Sequence, residues 1–387
     1  MSQISRRDFV KKTSLGALGA GLLMSGVKHL MLPQKLFAKN KATEGRIEYR
    51  PFGKTGLNVT TISFGVMRTS EPNVIRKAVD MGINYYDTAH CYMGGNNEKI
   101  LGKALKGVRD KVIIATKVHN DGNHSVESMT ASIDASLKSL QTDYIDVMQL
   151  HNKTDAAGVL DSVAIEALEK CKKAGKIRFT GVTTHANETI VLDAAVKSAF
   201  YDMVLVSYNF MSPHNVAEAI ARCHKAGLGV VAMKTQNGGY ETKAIGNMTP
   251  HQASLRWVLD DKNVSNAIPS MISYEQLDED FVVMGTMLGW SDRKILNKYA
   301  KSIEGTYCRR CGKCVASCKN NTDIPTLNRV LMYKEGYGDL RLARENYDLY
   351  NGAQHSAKCL TCSECVARCE YGIDIGKNMK KVQSLFA

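Results

Sequence analysis

The chain has 387 residues, 44% of them hydrophobic and 23% charged, a balance that suits one large globular core or two and excludes a disordered, collagen-like or disulfide-stapled small protein. The formal charge of +13 sits at the two ends, with +7 in residues 1–46, +1 in residues 47–299 and +5 in residues 300–387. A nearly neutral middle argues against nucleic-acid binding, which needs a clustered basic face. Eight of the eleven cysteines fall between Cys308 and Cys369, so the last quarter is chemically separate.

At the start, Ser5-Arg6-Arg7-Asp8-Phe9-Val10-Lys11 precedes an apolar Gly/Ala-rich run over residues 13–27. The paired arginines, the Phe and the Lys after them resemble a twin-arginine export signal. The run is shorter than the roughly 20 residues a bilayer span needs. The resemblance implies a periplasmic or otherwise extracytoplasmic protein that takes up its cofactors before export, touching a membrane only through an uncleaved signal. No Ala-x-Ala cleavage site stands before Lys41, and residues 1–45 are assigned to signal and linker.

Residues 46–290 alternate short apolar runs with amphipathic segments. Strands are expected at 59–66, 83–87, 112–117, 144–150, 177–183, 203–208, 228–234 and 265–269, and helices at 125–140, 159–174 and 215–226 among others. Gly82, Gly175 and Gly227 read as helix stops. Alternating strands and helices imply parallel pairing, and eight units fit an α/β fold of the (β/α)8 TIM-barrel type. A doubly wound open sheet is the alternative, without the glycine-rich dinucleotide fingerprint that would favour it.

Four polar residues lie at or just after strand ends, where such a barrel does its chemistry: Asp87, Tyr92, Lys117 and His151. Each alone has an ordinary structural explanation, but together they suit carbonyl reduction. Hydride arriving at carbon leaves charge on oxygen, so a proton donor is needed, with a second group to orient that oxygen. Tyr92 would be the acid, Lys117 would lower its pKa from about 10, Asp87 would hold Lys117, and His151 would donate to the substrate oxygen.

Arg50-Pro-Phe-Gly-Lys-Thr-Gly-Leu57, Asp87-Thr-Ala-His-Cys-Tyr92, Glu98-Lys-Ile-Leu-Gly-Lys-Ala-Leu105, Ala115-Thr-Lys117, Tyr144-Ile-Asp-Val-Met-Gln-Leu-His151 and Leu255-Arg-Trp-Val-Leu259 follow one another in order. With them the chain resembles the aldo-keto reductase superfamily from about residue 49 to 280. The resemblance implies the barrel, a small carbonyl or alcohol substrate, those four residues as the catalytic tetrad, and NAD(P) as cofactor. Thr183, Thr184, Lys234, Gly238 and Ser270 occupy the cofactor-binding positions. Thr183-Thr184 replaces the family's usual Ser-Asn, Leu205 stands where Gln is common, and Met233 where an aromatic often stacks. The segment Ile268-Pro-Ser-Met-Ile-Ser-Tyr-Glu-Gln-Leu277 lacks the Lys and Arg that would pair with a 2′-phosphate, which leaves NADH against NADPH open.

Cys308, Cys311, Cys314 and Cys318 follow the spacing C-x2-C-x2-C-x3-C, and Cys359, Cys362, Cys365 and Cys369 repeat it. Three thiolates on one tight loop cap a cubane face while a fourth closes the far iron, which suits two 4Fe-4S clusters; all-cysteine zinc sites favour separated C-x2-C pairs. Residues 291–387 thus read as a connecting helix at 291–304 and a module resembling helical ferredoxin-type dicluster domains, with helices at 326–335 and 340–350. That resemblance assigns Cys318 to the second cluster and Cys369 to the first. Lys319 and Glu370 stand where the family often has Pro after the fourth cysteine. Cys171 and Cys223 read as core residues, whereas Cys91 lies beside Tyr92.

The expected function is an exported oxidoreductase in which the two clusters exchange electrons with a redox partner protein. A flavin would be called for where hydride meets one-electron carriers. The alternatives are an ordinary NAD(P)H-dependent carbonyl reductase with structural clusters and a non-catalytic electron-transfer protein.

Overall fold

The computed structural model describes residues 46–120, 124–240, 243–246 and 248–386; the twin-arginine reading lies outside them. An antiparallel hairpin, β1 (Tyr49–Pro51) with β2 (Asn58–Thr60), opens the described chain. Eight strands follow in one parallel sheet in chain order: β3 (Phe64–Gly65), β4 (Tyr85–Asp87), β5 (Ile113–Val118), β6 (Ile145–Leu150), β7 (Ile177–Thr184), β8 (Met203–Ser207), β9 (Gly229–Met233) and β10 (Asn266–Ala267). A parallel bridge from Ile62 to Ala267 joins the first to the last, with Ser63 N donating to Ala267 O at 2.9 Å and Ala267 N to Thr61 O at 2.9 Å. The sheet thus curls into the expected (β/α)8 barrel.

Outside it run α1 (Pro72–Asp80), α2 (Asn96–Ala104), α3 (Val126–Leu140), α4 (Ala156–Val159), α5 (Ser162–Lys173), α6 (Glu188–Ser198), α7 (His214–Lys225), α8 (Pro250–Asp260) and α9 (Tyr274–Phe281). Their buried faces, such as Met129, Ile133 and Leu140 on α3, pack against the sheet. Inside the barrel a second core gathers Tyr85, Ala115, Val147, Met203, Leu205 and Val231. The hairpin closes the bottom: Phe52 sits 5.5 Å from the Tyr85 ring, and Arg50 donates to the carbonyls of Leu259 (2.6 Å) in the last turn of α8 and of Asp261 (3.2 Å) and Val264 (2.8 Å) just after it.

Two expected elements are divided. The run at 59–66 serves two structures, since Asn58–Thr60 belongs to the hairpin and Phe64–Gly65 to the barrel. The helix expected at 159–174 breaks at Leu160 and restarts where the Asp161 side chain accepts from Ala164 N at 2.9 Å, a helix N-cap.

After the barrel come α10 (Trp290–Ser302), α11 (Lys313–Ala316), α12 (Ile324–Glu335), α13 (Leu340–Leu349), α14 (Gly352–Ala357) and α15 (Ile375–Phe386). Their core contains Tyr299, Leu327, Val330, Leu331, Tyr347 and Val382, with Met67, Phe210, Met211 and Tyr240 of the barrel packed against it. The described residues all fall in one compact unit, so barrel and cysteine-rich module are docked. No described helix is long and apolar enough to cross a membrane.

Candidate active site

The tetrad residues come together at the carboxyl ends of β4, β5 and β6. Lys117 is almost fully buried; its ammonium pairs with Asp87 Oδ1 and donates to Thr88 O at 2.6 Å. Asp87 is held a second time, accepting from Gln149 Nε2 at 2.9 Å. Gln149 was not singled out in the sequence, yet it lies two residues before His151, and alternation along a strand places both on one face. Tyr92 opens a short 3-10 turn in which Met93, Gly94 and Gly95 all have positive φ. The Tyr92 ring lies edge-on to His151 with centroids 5.8 Å apart, and Lys117 Nζ is 5.0 Å from its centre.

The electrostatics differ from the sequence expectation at Tyr92. Burial, then the Asp87 carboxylate, push its phenol well above the usual value. Tyr92 therefore keeps its proton near neutrality and meets a substrate as the neutral phenol, a weaker acid than the sequence reading expected. Burial, followed by His119, Lys117, His90 and Arg329, pulls His151 well below its usual value. A neutral imidazole can donate to a substrate oxygen without taking the proton itself. Cys91 Sγ lies 3.7 Å from His151 Nδ1, and the ligand atoms of Cys91, His119 and His151 all lie within 4.8 Å of one another, a donor set that could hold a metal ion.

His185, after β7, is likewise held neutral by burial, then by Arg329, Lys234 and Arg310. Two buried neutral histidines make stability pH-dependent. Below about pH 6.5 the unfolded chain binds protons that the folded one refuses, so stability falls with falling pH by about 1.4 kcal/mol per unit for each group. Chemical denaturation at pH 7.0 and 5.5 should show that loss, and His185→Gln should reduce its slope by one group's share.

The five residues expected to bind nicotinamide lie on or beside the ends of β7, β9 and β10, but other groups occupy much of what they offer. Thr183 Oγ1 accepts from Asn152 N at 2.7 Å. Thr184 Oγ1 donates to Ala186 O at 2.6 Å and accepts from Ala186 N at 3.2 Å. Lys234 Nζ lies 3.3 Å from Tyr333 Oη, on α12. Gly238, with φ of +87°, packs against Met332, and its carbonyl lies so close to Gly336 that a side chain there would clash. Ser270 faces a cavity of about 70 Å³ shared with Lys234 and Tyr337. That cavity, which also reaches Asp87 and Tyr92, is smaller than the roughly 300–1,000 Å³ common for ligand sites, with Tyr337 on its wall and α12 packed against Lys234 and Gly238.

A larger cavity of about 330 Å³ lies between barrel and module, lined by Tyr92, His151, Cys91, His185, Arg329 and Tyr350 among others. Tyr333 is also on its wall. Burial opposes ionisation of Tyr333, but Lys234 and Arg329 outweigh it and hold the phenol below its usual value. The module residues Arg329, Tyr333 and Tyr350 carried no sequence signal for this site, because only docking brings them there.

In the module, Cys318, Cys359, Cys362 and Cys365 line one cavity of about 970 Å³, while Cys308, Cys311, Cys314 and Cys369 line another. The fourth cysteine of each motif therefore crosses to the other set, which fits two four-thiolate cubanes. Asn320 Nδ2 lies 3.1 Å from Cys362 Sγ and Tyr371 N donates to Cys369 Sγ at 3.4 Å, contacts of the kind that tune cluster sulfurs. The turns that lack Pro are made by Asn321 (φ +48°) and Gly372 (φ +76°), whose N–H groups return to Cys318 O at 3.2 Å and Cys369 O at 3.3 Å.

The Aldo/keto reductase family profile matches residues 61–246, and that of the 4Fe-4S dicluster domain matches residues 307–373. L-galactose dehydrogenase of Arabidopsis thaliana is 30% identical over 282 residues, covering 61% of this chain and 87% of that protein. Methylglyoxal reductase YeaE of Escherichia coli is 25% identical over 255 residues, covering 62% and 87%. Among solved structures, the holo form of aldo-keto reductase AKR11C1 from Bacillus halodurans superposes with a TM-score of 0.57 at 26% identity, covering 65% of this chain and 96% of that one. An aldo-keto reductase from Klebsiella pneumoniae in complex with NADPH gives a TM-score of 0.56 at 25% identity, covering 66% and 95%. The chain belongs to the aldo/keto reductase family. It is an oxidoreductase whose barrel is followed by a 4Fe-4S dicluster domain.

Proposed function

We propose that the protein is an exported enzyme that interconverts a carbonyl and an alcohol at Tyr92, with electrons exchanged through two 4Fe-4S clusters and an external redox partner protein. The observation that carries this reading is the docking of α12 over both the catalytic cavity and the nicotinamide strip. His185 and Arg329 line the catalytic cavity and also a smaller one that reaches Cys308. Cys308, Cys311, Cys314 and Cys369 would hold one cluster, and Cys318, Cys359, Cys362 and Cys365 the other. Each cluster, when bound, supplies one-electron redox chemistry.

Reduction of the carbonyl consumes two electrons and two protons: the C=O π bond breaks as a C–H and an O–H bond form. Tyr92 gives the proton to oxygen, neutral His151 donates a hydrogen bond to that oxygen, and Lys117 and Asp87 hold the floor of the site. The second proton comes from solvent and the electrons from the reduced partner; in the alcohol-to-carbonyl direction each transfer reverses. A flavin would serve as relay between paired and single electrons, and its absorbance in purified protein checks for it. Export is supported by Arg6-Arg7 and the apolar run that follows.

A second reading keeps nicotinamide as reductant and the clusters as structure, favoured by the NADPH of the Klebsiella pneumoniae relative. Anaerobic addition of small aldehydes, ketones and oxo acids to dithionite-reduced, cluster-loaded protein separates them. Recovery of cluster absorbance with formation of the alcohol is expected; clusters that stay bleached while NADPH alone supports alcohol formation would overturn the first reading.

A further inference from the structure

We propose that Arg329 of the cluster module anchors a carboxylate of the substrate, so that the enzyme acts on small oxo or hydroxy acids. The inference rests on the reading of the 330 Å³ cavity as the substrate site. Arg329 projects from α12 and is 4% exposed. Its guanidinium lies 4.9 Å from the Tyr350 ring and hydrogen-bonds the Tyr350 side chain, yet its Nε and Nη2 are buried with no hydrogen-bond partner in the described structure. A buried donor left unsatisfied is expensive, and more so when charged. The natural partner of a planar guanidinium with free N–H groups is a carboxylate, which it meets with two parallel bonds.

The surroundings favour an anion. Lys234, Arg309 and Arg310 line, with Arg329, the small cavity beside His185, and His185 is held neutral rather than adding a fifth charge; Asp323 offsets part of that charge at Arg310 and Arg329. The two carboxylates on the wall of the substrate cavity belong to α13: Glu345 is bonded by Arg341 at 2.8 Å and Asp348 is exposed. Because Tyr92 and His151 line the same cavity, a molecule held by its carboxylate on Arg329 can present its carbonyl to the tetrad. The anchor comes from the dicluster module rather than the barrel, so selection of the substrate and delivery of electrons depend on the same docked element.

Calorimetric titration of the cluster-loaded protein with short 2-hydroxy acids and with their uncharged amides tests this, alongside Arg329→Met, Arg329→Lys and the cluster midpoint potentials. The wild type should bind acids more tightly than amides. Arg329→Met should weaken the acids on the order of 30- to 100-fold with amide affinity unchanged, and Arg329→Lys should recover part of the loss. Equal binding of acids and amides by the wild type would overturn the anchor, as would a variant that shifts cluster potentials while keeping the acid preference. Failure of the wild type to bind either class would overturn the cavity as substrate site, a different result from binding without preference.

Discussion

Replacing Tyr92 by Phe should lower kcat for carbonyl reduction by about 10²–10⁴-fold, the range typical of a lost general acid, while leaving cluster spectra and folding unchanged. The substitution removes one hydroxyl and keeps the ring that packs against His151. The raised phenol also sets the pH profile: reduction at Tyr92 should not fall through the neutral range, because the proton it donates is retained there. Single-turnover reoxidation of reduced clusters by substrate measures this directly. Turnover by Tyr92→Phe at the wild-type rate would remove Tyr92 from the chemistry.

Lys117→Met should be the most damaging single change to stability among the tetrad. Lys117 and Asp87 are both buried, and deleting the cation leaves the Asp87 carboxylate with Gln149 as its remaining donor. Breaking a buried pair in this way costs about 3–5 kcal/mol. The double substitution Asp87→Asn with Lys117→Met removes the orphaned charge and should regain part of that stability without regaining turnover. Denaturant unfolding of the two variants compares them; equal stability of the single and double variants would show that the orphaned charge is not what Lys117→Met exposes.

The barrel could be read from the sequence because its signals are local. Runs such as residues 203–206 and 229–233 are apolar and buried on both faces, as buried parallel strands must be, and Asp87, Lys117 and His151 follow from the ends of strand runs. Gln149 was within reach of the same alternation. The divided run at 59–66 was not, since hairpin and barrel strands share one apolar composition and only pairing separates them. The two cavities group Cys318 with Cys359, Cys362 and Cys365, and Cys369 with Cys308, Cys311 and Cys314, the crossing that the ferredoxin-type resemblance implied.

What sequence could not supply depends on docking between distant segments. Arg329 and Tyr333 lie about 180 residues or more beyond His151 along the chain, and nothing in their helix marks them as facing the barrel mouth. The same docking covers Lys234 and Gly238, which sequence reading placed in a cofactor groove. The phenol of Tyr92 moved opposite to expectation for a related reason: the Asp87–Lys117 pair could be read, but the depth at which Tyr92 is buried, the largest influence on its phenol, could not.

The central claim is that electrons reach the barrel through the clusters rather than from free nicotinamide. Anaerobic titration of the oxidised, cluster-loaded protein with NADH and NADPH, following iron–sulfur absorbance and nucleotide binding together, tests it most directly. The account predicts that neither nucleotide binds and that the clusters stay oxidised until a low-potential one-electron donor is added. Tight binding of either nucleotide, followed by carbonyl reduction with the clusters unchanged, would contradict it.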